Sequence, residues 1–293
     1  MSIAIIANPL AGRGRGQKVA RLAKEILTAQ KADFELLYTE YPGHAIELAE
    51  KASGKHPTVV ALGGDGTIRE VLQGTWQTTA TLGLIPGGTG NDYARGLGIP
   101  RTTKDAIHTL LNGQKTRFDV GLQKDIVFGQ MVSIGFSADV LDYVNAHRDV
   151  FWKGSAAFLA AVAATIRHLR AFPVKINIDG KVMEKNVIAL FALNMPYGGG
   201  GMNFSPDARY DSGHFHLLFI EEIGRLSFSL TLPKIYSGKH VSHPAVHILP
   251  GKEISVESDL RPLMIDGDIF APAPFHSKIV PQAMPVIVPK TPA

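Results

Sequence analysis

Three glycine-rich segments hold the residues whose types and spacing suggest chemistry. In chain order they read NPLAGRGRG, GGDGT and PGGTGND. Glycine lets backbone N–H groups approach phosphate oxygens closely, and a helix N-terminus adds unpaired donors and a favourable dipole. Thr67 and Thr89 could add hydroxyl donors, whereas Asp65 would repel an anion unless a divalent cation or a substrate hydroxyl lies between them. These residues therefore predict a site for phosphate groups.

Each segment could also be only a tight turn whose Asp or Thr caps the next helix. Two such loops at neighbouring strand ends, with the segment after the first strand, favour a converging anion site over separate turns. The chain has no G-x-x-x-x-G-K-[ST] loop, and no G-x-G-x-x-G in a strand–turn–helix context. Standard P-loop enzymes and standard dinucleotide dehydrogenases are therefore excluded.

The first hundred residues alternate short β-branched runs with longer runs of helical periodicity. This pattern predicts four strand-then-helix units, a parallel sheet covered on both faces, and ligand binding beyond the carboxyl ends of the strands. The predicted strands are 3–7, 34–38, 58–62 and 81–85, and the predicted helices are about 15–29, 44–52, 67–73 and 103–111.

From Phe118 onward most segments alternate apolar and polar residues, as antiparallel strands do. Asp179-Gly180 lies between two such runs and predicts a hairpin. We expect one helical insertion at about 150–171. The tail after Phe275 could finish this second part or return to the first. The predicted domains are 1–117 and 118–276, with a tail at 277–293.

The composition narrows the class of protein. The 293 residues are 45% hydrophobic and 19% charged, which is typical of a folded globular chain, and the absence of cysteine excludes disulfides and thiolate chemistry. The net charge of +4 favours anionic partners without indicating nucleic acid, and we predict none. The N-terminus is a poor signal peptide, so we expect a cytoplasmic protein. The apolar run 154–166 is too short to span a membrane; it could be a buried helix or one near a lipid-facing cleft.

Several motifs in a fixed order carry a resemblance to a known family. They are NPLAGRGRG, TEYPGHA, GGDGTIREVL and PGGTGNDYARGLG in the first hundred residues, and GGGGMNFSPDARYDSGHFHLLFI and MIDGD later. The chain resembles the diacylglycerol kinase catalytic-domain family, in particular the bacterial soluble lipid kinases that are related to sphingosine and ceramide kinases. GGDGT alone is shared with NAD kinases and 6-phosphofructokinases, but GGTGND about twenty residues later is more specific to lipid kinases.

The resemblance implies a fold and a reaction. The fold is an α/β nucleotide-binding domain followed by an antiparallel, β-sandwich-like domain, with the active site in the cleft between them. The reaction is Mg²⁺-dependent transfer of the ATP γ-phosphoryl group to a lipid hydroxyl. ATP would contact Asn8, Pro9, Leu10, Ala11, Gly12, Thr39, Gly64, Asp65, Gly66, Thr67, Ile68, Arg69, Glu70, Thr89 and Asn91. Asp65 would also help to organise the catalytic Mg²⁺.

The family's catalytic base is the glutamate of a D-G-E motif, which here reads Asp266, Gly267, Asp268. The resemblance implies Asp268 as the base, but this side chain is one methylene shorter, so Asp266 could share the role. Without the resemblance, Asp266-Gly267 would be interpreted as a plain turn like Asp179-Gly180.

A second departure affects a structural metal site. The family pattern D-D-G-x-L-D holds Mg²⁺ through its first Asp, the carbonyl at x and its last Asp. The corresponding residues here are Asp211, His214 and His216. Because imidazole is a poor ligand for Mg²⁺, we expect weakened or absent magnesium there, or less readily a transition metal.

The resemblance also implies a lipid partner at a membrane surface, approached peripherally, and a homodimer is possible. Two alternatives stay open: a kinase of a soluble acceptor such as NAD, and a nucleotide- or lipid-binding regulatory protein without turnover. The residues do not reveal which lipid is the acceptor, because a lipid pocket is made of ordinary apolar side chains.

Overall fold

The computed structural model describes residues 2–146 and 161–290. These residues form two compact units: 2–120, 126–129 and 280–290 make the first, and 121–125, 130–146 and 161–279 make the second. Residues 150–160 of the helical insertion that the sequence predicts at 150–171 lie outside the described residues. Within the described part of that range, residues 161–165 are α-helical and a short 3-10 helix, Ile166–His168, follows them.

The first unit begins with alternating strands and helices. They are β1 (Ser2–Ala7), α1 (Ala11–Ala29), β2 (Asp33–Tyr38), α2 (His44–Ser53), β3 (Thr58–Gly63), α3 (Asp65–Thr75), β4 (Thr81–Pro86), α4 (Asp92–Gly96) and α5 (Thr103–Asn112). The strands pair in parallel in the order β2-β1-β3-β4. Every residue of β3 and β4 is buried, as expected for central parallel strands between helices.

The strand order 2-1-3-4 determines where a ligand can bind to this sheet. The chain leaves β1 toward β2 on one side, and β3 lies on the other side of β1. Crevices in such sheets open at this reversal, outside the carboxyl ends of the two strands. The glycine-rich segments after β1 and after β3 lie at that point.

The rest of the chain is mainly β-structure. Its elements are β5 (Gln114–Gln123), β6 (Ile126–Phe128), β7 (Met131–Gly135), α6 (Phe136–Ala146), β8 (Phe172–Ile178), β9 (Lys181–Leu193), β10 (Tyr197–Gly198), β11 (Met202–Asn203), β12 (Phe215–Glu221), α7 (Arg225–Thr231), β13 (Val246–Gly251), β14 (Glu253–Ile265) and β15 (Asp268–Val288). Two 3-10 helices, Leu232–Ser237 and Lys239–Ser242, follow α7.

Antiparallel pairing organises the second unit. β7 pairs with β9 and β14, and β8 pairs with the same two strands, so these four strands close a cycle of hydrogen bonds. β12 and then β13 extend the sheet from β9. The alternating burial of β8 shows why the sequence pattern indicated such strands, since one face packs inward and the other meets solvent.

The tail contributes to both units. β15 starts opposite β14 in the second unit, where Asp268 pairs with Ile265. From residue 280 the strand belongs to the first unit, and Val286 pairs in parallel with Leu82 of β4. In the described part of the chain, no helix is both long enough and apolar enough to cross a membrane.

Candidate functional site

Three backbone segments meet at the carboxyl edge of the first sheet. A Cβ atom added to Gly12 would lie 2.5 Å from the carbonyl oxygen of Gly87, which brings the segment after β1 against the segment after β4. The Gly87 amide donates to the carbonyl of Gly63, the last residue of β3, at 2.7 Å. The three glycine-rich segments are therefore neighbours in space.

The contact between the second and third segments tolerates no side chain on Gly88. A Cβ on Gly88 would lie 2.4 Å from the Cα of Gly64, which is well inside van der Waals contact. Gly64 itself is the N-cap of α3, in an extended conformation and with no side-chain cap. The first amides of α3 therefore follow a bare glycine backbone, as an anion-binding helix terminus requires.

Asn8 ties the first segment to the second. Its Oδ1 accepts from the Leu10 amide at 3.0 Å, and its Nδ2 donates to the hydroxyl oxygen of Thr67 at 3.2 Å. Thr67 is 5% exposed, and a hydroxyl that accepts one bond keeps its own proton to donate. Asn8 therefore orients a hydroxyl that could serve a phosphate oxygen.

Backbone conformation explains the glycines of the first segment. Gly12, Arg13 and Gly14 have φ values of 55°, 64° and 83°, so three successive residues are left-handed and regular α1 geometry begins only at Arg15. Successive left-handed residues are costly for side chains other than glycine. This kink places Gly12 against Gly87, and it explains why the periodic pattern predicted a helix only from about 15.

Asn91 shapes the third segment from inside. It adopts the left-handed conformation, is 1% exposed, and uses both ends of its carboxamide on Gly88: Oδ1 accepts from the Gly88 amide at 2.9 Å, and Nδ2 donates to the Gly88 carbonyl at 3.0 Å. Thr89 is exposed at the turn that Asn91 closes. Of these two predicted nucleotide contacts, Asn91 holds the loop and Thr89 presents a hydroxyl to solvent.

Asp65 lies at the start of α3 and reaches the start of α4. Its Oδ1 accepts from the Tyr93 amide at 3.0 Å, which fixes the orientation of the carboxylate beside the third segment. Tyr93 is fully buried, and its hydroxyl accepts from the Gly129 amide at 3.0 Å. No sequence pattern indicates this role for Tyr93, because a buried tyrosine in a short helix has the pattern of an ordinary core residue.

Glu70 fixes the loop that precedes α2. Its Oε1 accepts from the Gly43 amide at 3.0 Å and its Oε2 accepts from the Ala45 amide at 3.3 Å. Gly43 is the N-cap of α2 and has no side chain to cap it, so Glu70 supplies the acceptor from α3. Glu70 is among the predicted nucleotide contacts, and its bonds position the start of α2. Thr39, another predicted contact, donates its amide to the Ala7 carbonyl at 2.9 Å.

The remaining residues that are predicted to contact the nucleotide differ in how exposed they are and in which backbone groups they use. Leu10 is largely exposed, Gly66 is exposed with no heavy atom close to where a Cβ would lie, and Ile68 is fully buried, so Ile68 can offer only its backbone. Pro9 accepts from the Gln17 amide and Ala11 donates to the Asn8 carbonyl, both at 3.2 Å. Arg69 is partly buried on α3.

In the second unit, Asp266 and Asp268 flank one hairpin turn and have different surroundings. Asp266 is 4% exposed, and its Oδ1 accepts from the amides of Gln130 and Met131, both at 2.9 Å. Asp268 is exposed at the first position of β15. The buried carboxylate holds the start of β7, and the exposed one can meet a substrate.

The predicted metal ligands of the second unit make other contacts. Both carboxylate oxygens of Asp211 pair with the Arg209 guanidinium, at 3.0 and 3.2 Å, and the His214 carbonyl accepts from the Ser212 hydroxyl at 2.9 Å. His216 Nδ1 lies 2.8 Å from Ser205 Oγ, and burial lowers the pKa of this imidazole. These donor sets do not fit Mg²⁺. Among residues 2–146 and 161–290, no group of three or more His, Asp or Glu side chains could hold a metal ion.

Comparisons with known proteins agree with the two-part architecture. Residues 2–122 match the family model described as diacylglycerol kinase catalytic domain, and residues 130–288 match the one described as YegS C-terminal NAD kinase beta sandwich-like domain. The predicted order of an α/β part and a mainly-β part is confirmed.

Two relatives with similar sequences carry the same name. A "Diacylglycerol kinase" of Staphylococcus aureus is 30% identical over 274 residues, covering 90% of this chain and 85% of that protein. One of Mycobacterium tuberculosis is 29% identical over 298 residues, covering 98% and 95%. The crystal structure of a diacylglycerol kinase from Bacillus anthracis superposes with a TM-score of 0.76 at 21% identity, covering 98% of this chain and 96% of that one, which shows a shared fold.

Proposed function

Because the chain belongs to the diacylglycerol kinase family, we propose that it is an ATP- and Mg²⁺-dependent enzyme that phosphorylates a lipid hydroxyl. The acceptor is diacylglycerol or a related lipid, and the product is phosphatidic acid or its analogue. The observation that carries the proposal is the meeting of three glycine-rich segments at the carboxyl edge of β1, β3 and β4. A lipid kinase needs such a backbone cradle for the phosphates of its nucleotide.

We assign the nucleotide to this cradle. The amides at the start of α3 bind phosphate oxygens, with the hydroxyls of Thr67 and Thr89 as further donors. Asp65, oriented by the Tyr93 amide, is the carboxylate for Mg²⁺, which in phosphoryl transfer is typically held by one or two carboxylates together with the nucleotide's own phosphates. The metal would neutralise charge that develops on the transferred phosphoryl group.

Asp268 is assigned as the base that accepts the proton of the lipid hydroxyl. An exposed carboxylate can reach a substrate, whereas Asp266 uses its Oδ1 on two backbone amides. The role of Asp266 is therefore to position the turn that carries Asp268. The resemblance predicted a site in a cleft between the two domains, and this location stays a prediction.

We assign no structural Mg²⁺ to the loop that contains Asp211. Its oxygen atoms are engaged with Arg209 and Ser212, and His216 is held by Ser205. This departure does not weaken the proposed reaction, because the catalytic metal is assigned to Asp65 in the other unit.

One alternative has support of its own. The family model that matches residues 130–288 has the words NAD kinase in its description, so a kinase of a soluble acceptor such as NAD is the second candidate. A regulatory protein that binds nucleotide without turnover is the third.

An acceptor screen separates these three functions. The purified protein is given γ-labelled ATP and Mg²⁺ with diacylglycerol in mixed micelles, with a panel of other lipids, and with NAD. We expect label in a lipid and none in NAD. Asp65→Asn should abolish transfer, whereas Asp33→Asn, at an exposed carboxylate on β2, should leave it unchanged. Label in NAD alone would establish the second candidate, and ATP binding without transfer to any acceptor would establish the third.

A further inference from the structure

One stretch of the second unit exposes apolar side chains to an unusual extent. The described residues expose ten large apolar side chains, and four of them lie within the sixteen residues 226–241: Leu226, Leu230, Tyr236 and Val241. Leu226 is 75% exposed and Leu230 is 64% exposed, and both belong to α7. Single exposed leucines are ordinary, but such a concentration marks an interaction surface. We call residues 225–241 the α7 surface.

Helix geometry places the two leucines together. Residues four apart lie on the same face of a helix, so Leu226 and Leu230 are neighbours. The opposite face of α7 is anchored in the core of the second unit: Phe228 and Thr231 are buried, and the Phe228 ring meets the Phe136 ring edge-on at 5.1 Å. The inner face of α7 therefore packs into the core of the second unit, whereas Leu226 and Leu230 face away from that core.

The formally charged residues in the stretch of chain that contains these leucines have one sign. From Ile223 to His247 the chain carries Arg225, Lys234 and Lys239 and no Asp or Glu. All three cations are exposed. Two acids, Glu221 and Glu222, immediately precede this stretch. Glu221 is paired with Lys185 and His247, so its charge is already balanced. The α7 surface therefore combines outward leucines with a net positive rim.

This combination fits one kind of partner. Apolar side chains that project from a basic surface insert into the boundary between headgroups and acyl chains, while the cations bind anionic headgroups. A protein partner would need acids that face these cations and an apolar pocket shaped to receive both leucines, whereas a membrane accepts projecting leucines without such a pocket. We propose that the α7 surface docks the protein on anionic lipid membranes. The proposal deepens the proposed function, because it rests on a lipid substrate and names the surface that brings the enzyme to it.

Vesicle sedimentation tests the docking. The full-length protein is mixed with vesicles of phosphatidylcholine containing about a third phosphatidylglycerol, and with phosphatidylcholine alone. We expect binding to the anionic vesicles that weakens with salt. Leu226→Gln combined with Leu230→Gln should weaken it at least about tenfold for each leucine. Lys234→Glu combined with Lys239→Glu should weaken it about fivefold for each lost cation.

Two control variants test whether the effect depends on where the substituted leucines and lysines lie, rather than on the loss of any exposed leucine or lysine. Leu260→Gln removes a leucine that is 65% exposed on β14, and Lys181→Glu with Lys252→Glu reverses two exposed lysines elsewhere in the same unit. Neither control should change binding. Equal binding by all variants, or no binding by the unaltered protein, would overturn the proposal. A lower mass of the leucine variant in sedimentation equilibrium would overturn it too, because the surface would then join two copies of this chain.

A soluble acceptor separates failure of the docking from failure of the proposed function. The leucine variant should keep its activity on a short-chain diacylglycerol dispersed in water and lose it on vesicles. Vesicle binding without phosphorylation of any lipid would retain the docking surface and remove the kinase assignment. Phosphorylation of the short-chain lipid without vesicle binding would retain the kinase assignment and remove the docking surface.

Discussion

Asp179-Gly180 and Asp266-Gly267 are the same dipeptide in nearly the same backbone conformation, with φ values of 50° and 87° in the first turn and 47° and 87° in the second. Each joins two antiparallel strands, β8 to β9 and β14 to β15. Each aspartate also holds the start of a third strand. The Asp179 amide donates to the Glu253 carbonyl, and the Asp266 amide donates to the Met131 carbonyl, both at 3.0 Å.

The carboxylates complete the same arrangement. Asp179 accepts from the amides of Lys252 and Glu253, at 3.0 and 2.8 Å, where β14 begins. Asp266 accepts from the amides of Gln130 and Met131, both at 2.9 Å, where β7 begins. The second unit therefore contains the same arrangement twice: an Asp-Gly turn whose aspartate is hydrogen-bonded to the start of a third strand. We call the bonds of each aspartate to that strand its bracket.

The two turns differ in the burial of the aspartate and in the residue that follows the glycine. Asp179 is exposed, and the residue after its glycine is Lys181; Asp266 is 4% exposed, and the residue after its glycine is Asp268. An Asp-Gly turn of this conformation therefore carries no chemistry by itself. The buried bonds of Asp266 hold the turn that precedes Asp268, and a base at Asp268, as we propose, would require such support.

The largest expected effect concerns the residues that follow the two turns. Asp268→Asn should lower kcat for lipid phosphorylation by about 10²- to 10⁴-fold, because a general base is lost. Its stability should change by less than about 1 kcal/mol, because the side chain is exposed. Lys181→Gln at the matched position should leave kcat unchanged. Phosphate transfer from labelled ATP and thermal unfolding measure both quantities, and full activity in Asp268→Asn would remove our assignment of the base.

The next effect is on stability and compares the two brackets. Asp266→Ala should lower the free energy of unfolding by about 3–5 kcal/mol, because two buried amides lose a charged acceptor. Asp179→Ala should lower it by about 1–2 kcal/mol, because water can replace an exposed acceptor. Both alanines meet the same left-handed backbone penalty, so the difference isolates burial. Urea denaturation gives both values, and equal losses would mean that burial does not distinguish the turns.

The smallest effect concerns the two glycines. Gly180→Ala and Gly267→Ala each place a Cβ where no heavy atom lies within 4 Å, at a φ of 87°. Each should cost about 1–2 kcal/mol, from the left-handed conformation alone. Only Gly267→Ala should also lower kcat, because it disturbs the turn before Asp268. A fall in kcat for both variants would point to a general loss of folded protein rather than to a local effect.

Periodicity predicted the elements of the first unit well, because its strands and helices are long enough for one face to be buried repeatedly. The predicted strand 58–62 is β3 from Thr58 to Gly63, and the predicted helix 44–52 is α2 from His44 to Ser53. The hairpin at Asp179-Gly180 is confirmed, since Asp and Gly tolerate the two positive φ values that such a turn needs.

Contacts between distant residues were not predictable in the same way. The sequence placed Asn8, Asp65, Glu70 and Asn91 in the candidate nucleotide site, but their side-chain partners are Thr67, Tyr93, Gly43 and Gly88. Three of these four partnerships join different elements, and no local spacing encodes them. Asp211 differs from these residues, because its partner Arg209 lies only two residues before it along the chain.

The amino-acid sequence by itself determined the family, the order of an α/β part and a mainly-β part, and the three glycine-rich segments, because motifs and periodicity are properties of neighbours along the chain. The tertiary structure decided that these segments touch at Gly12, Gly63 and Gly87, that Asp266 is a buried bracket while Asp268 is exposed, and that Leu226 and Leu230 face outward. The physical reason is that burial and hydrogen-bond partners depend on which distant segments pack together. Two Asp-Gly turns with the same conformation and the same bonds to a third strand can therefore differ in burial and in the residue that follows them.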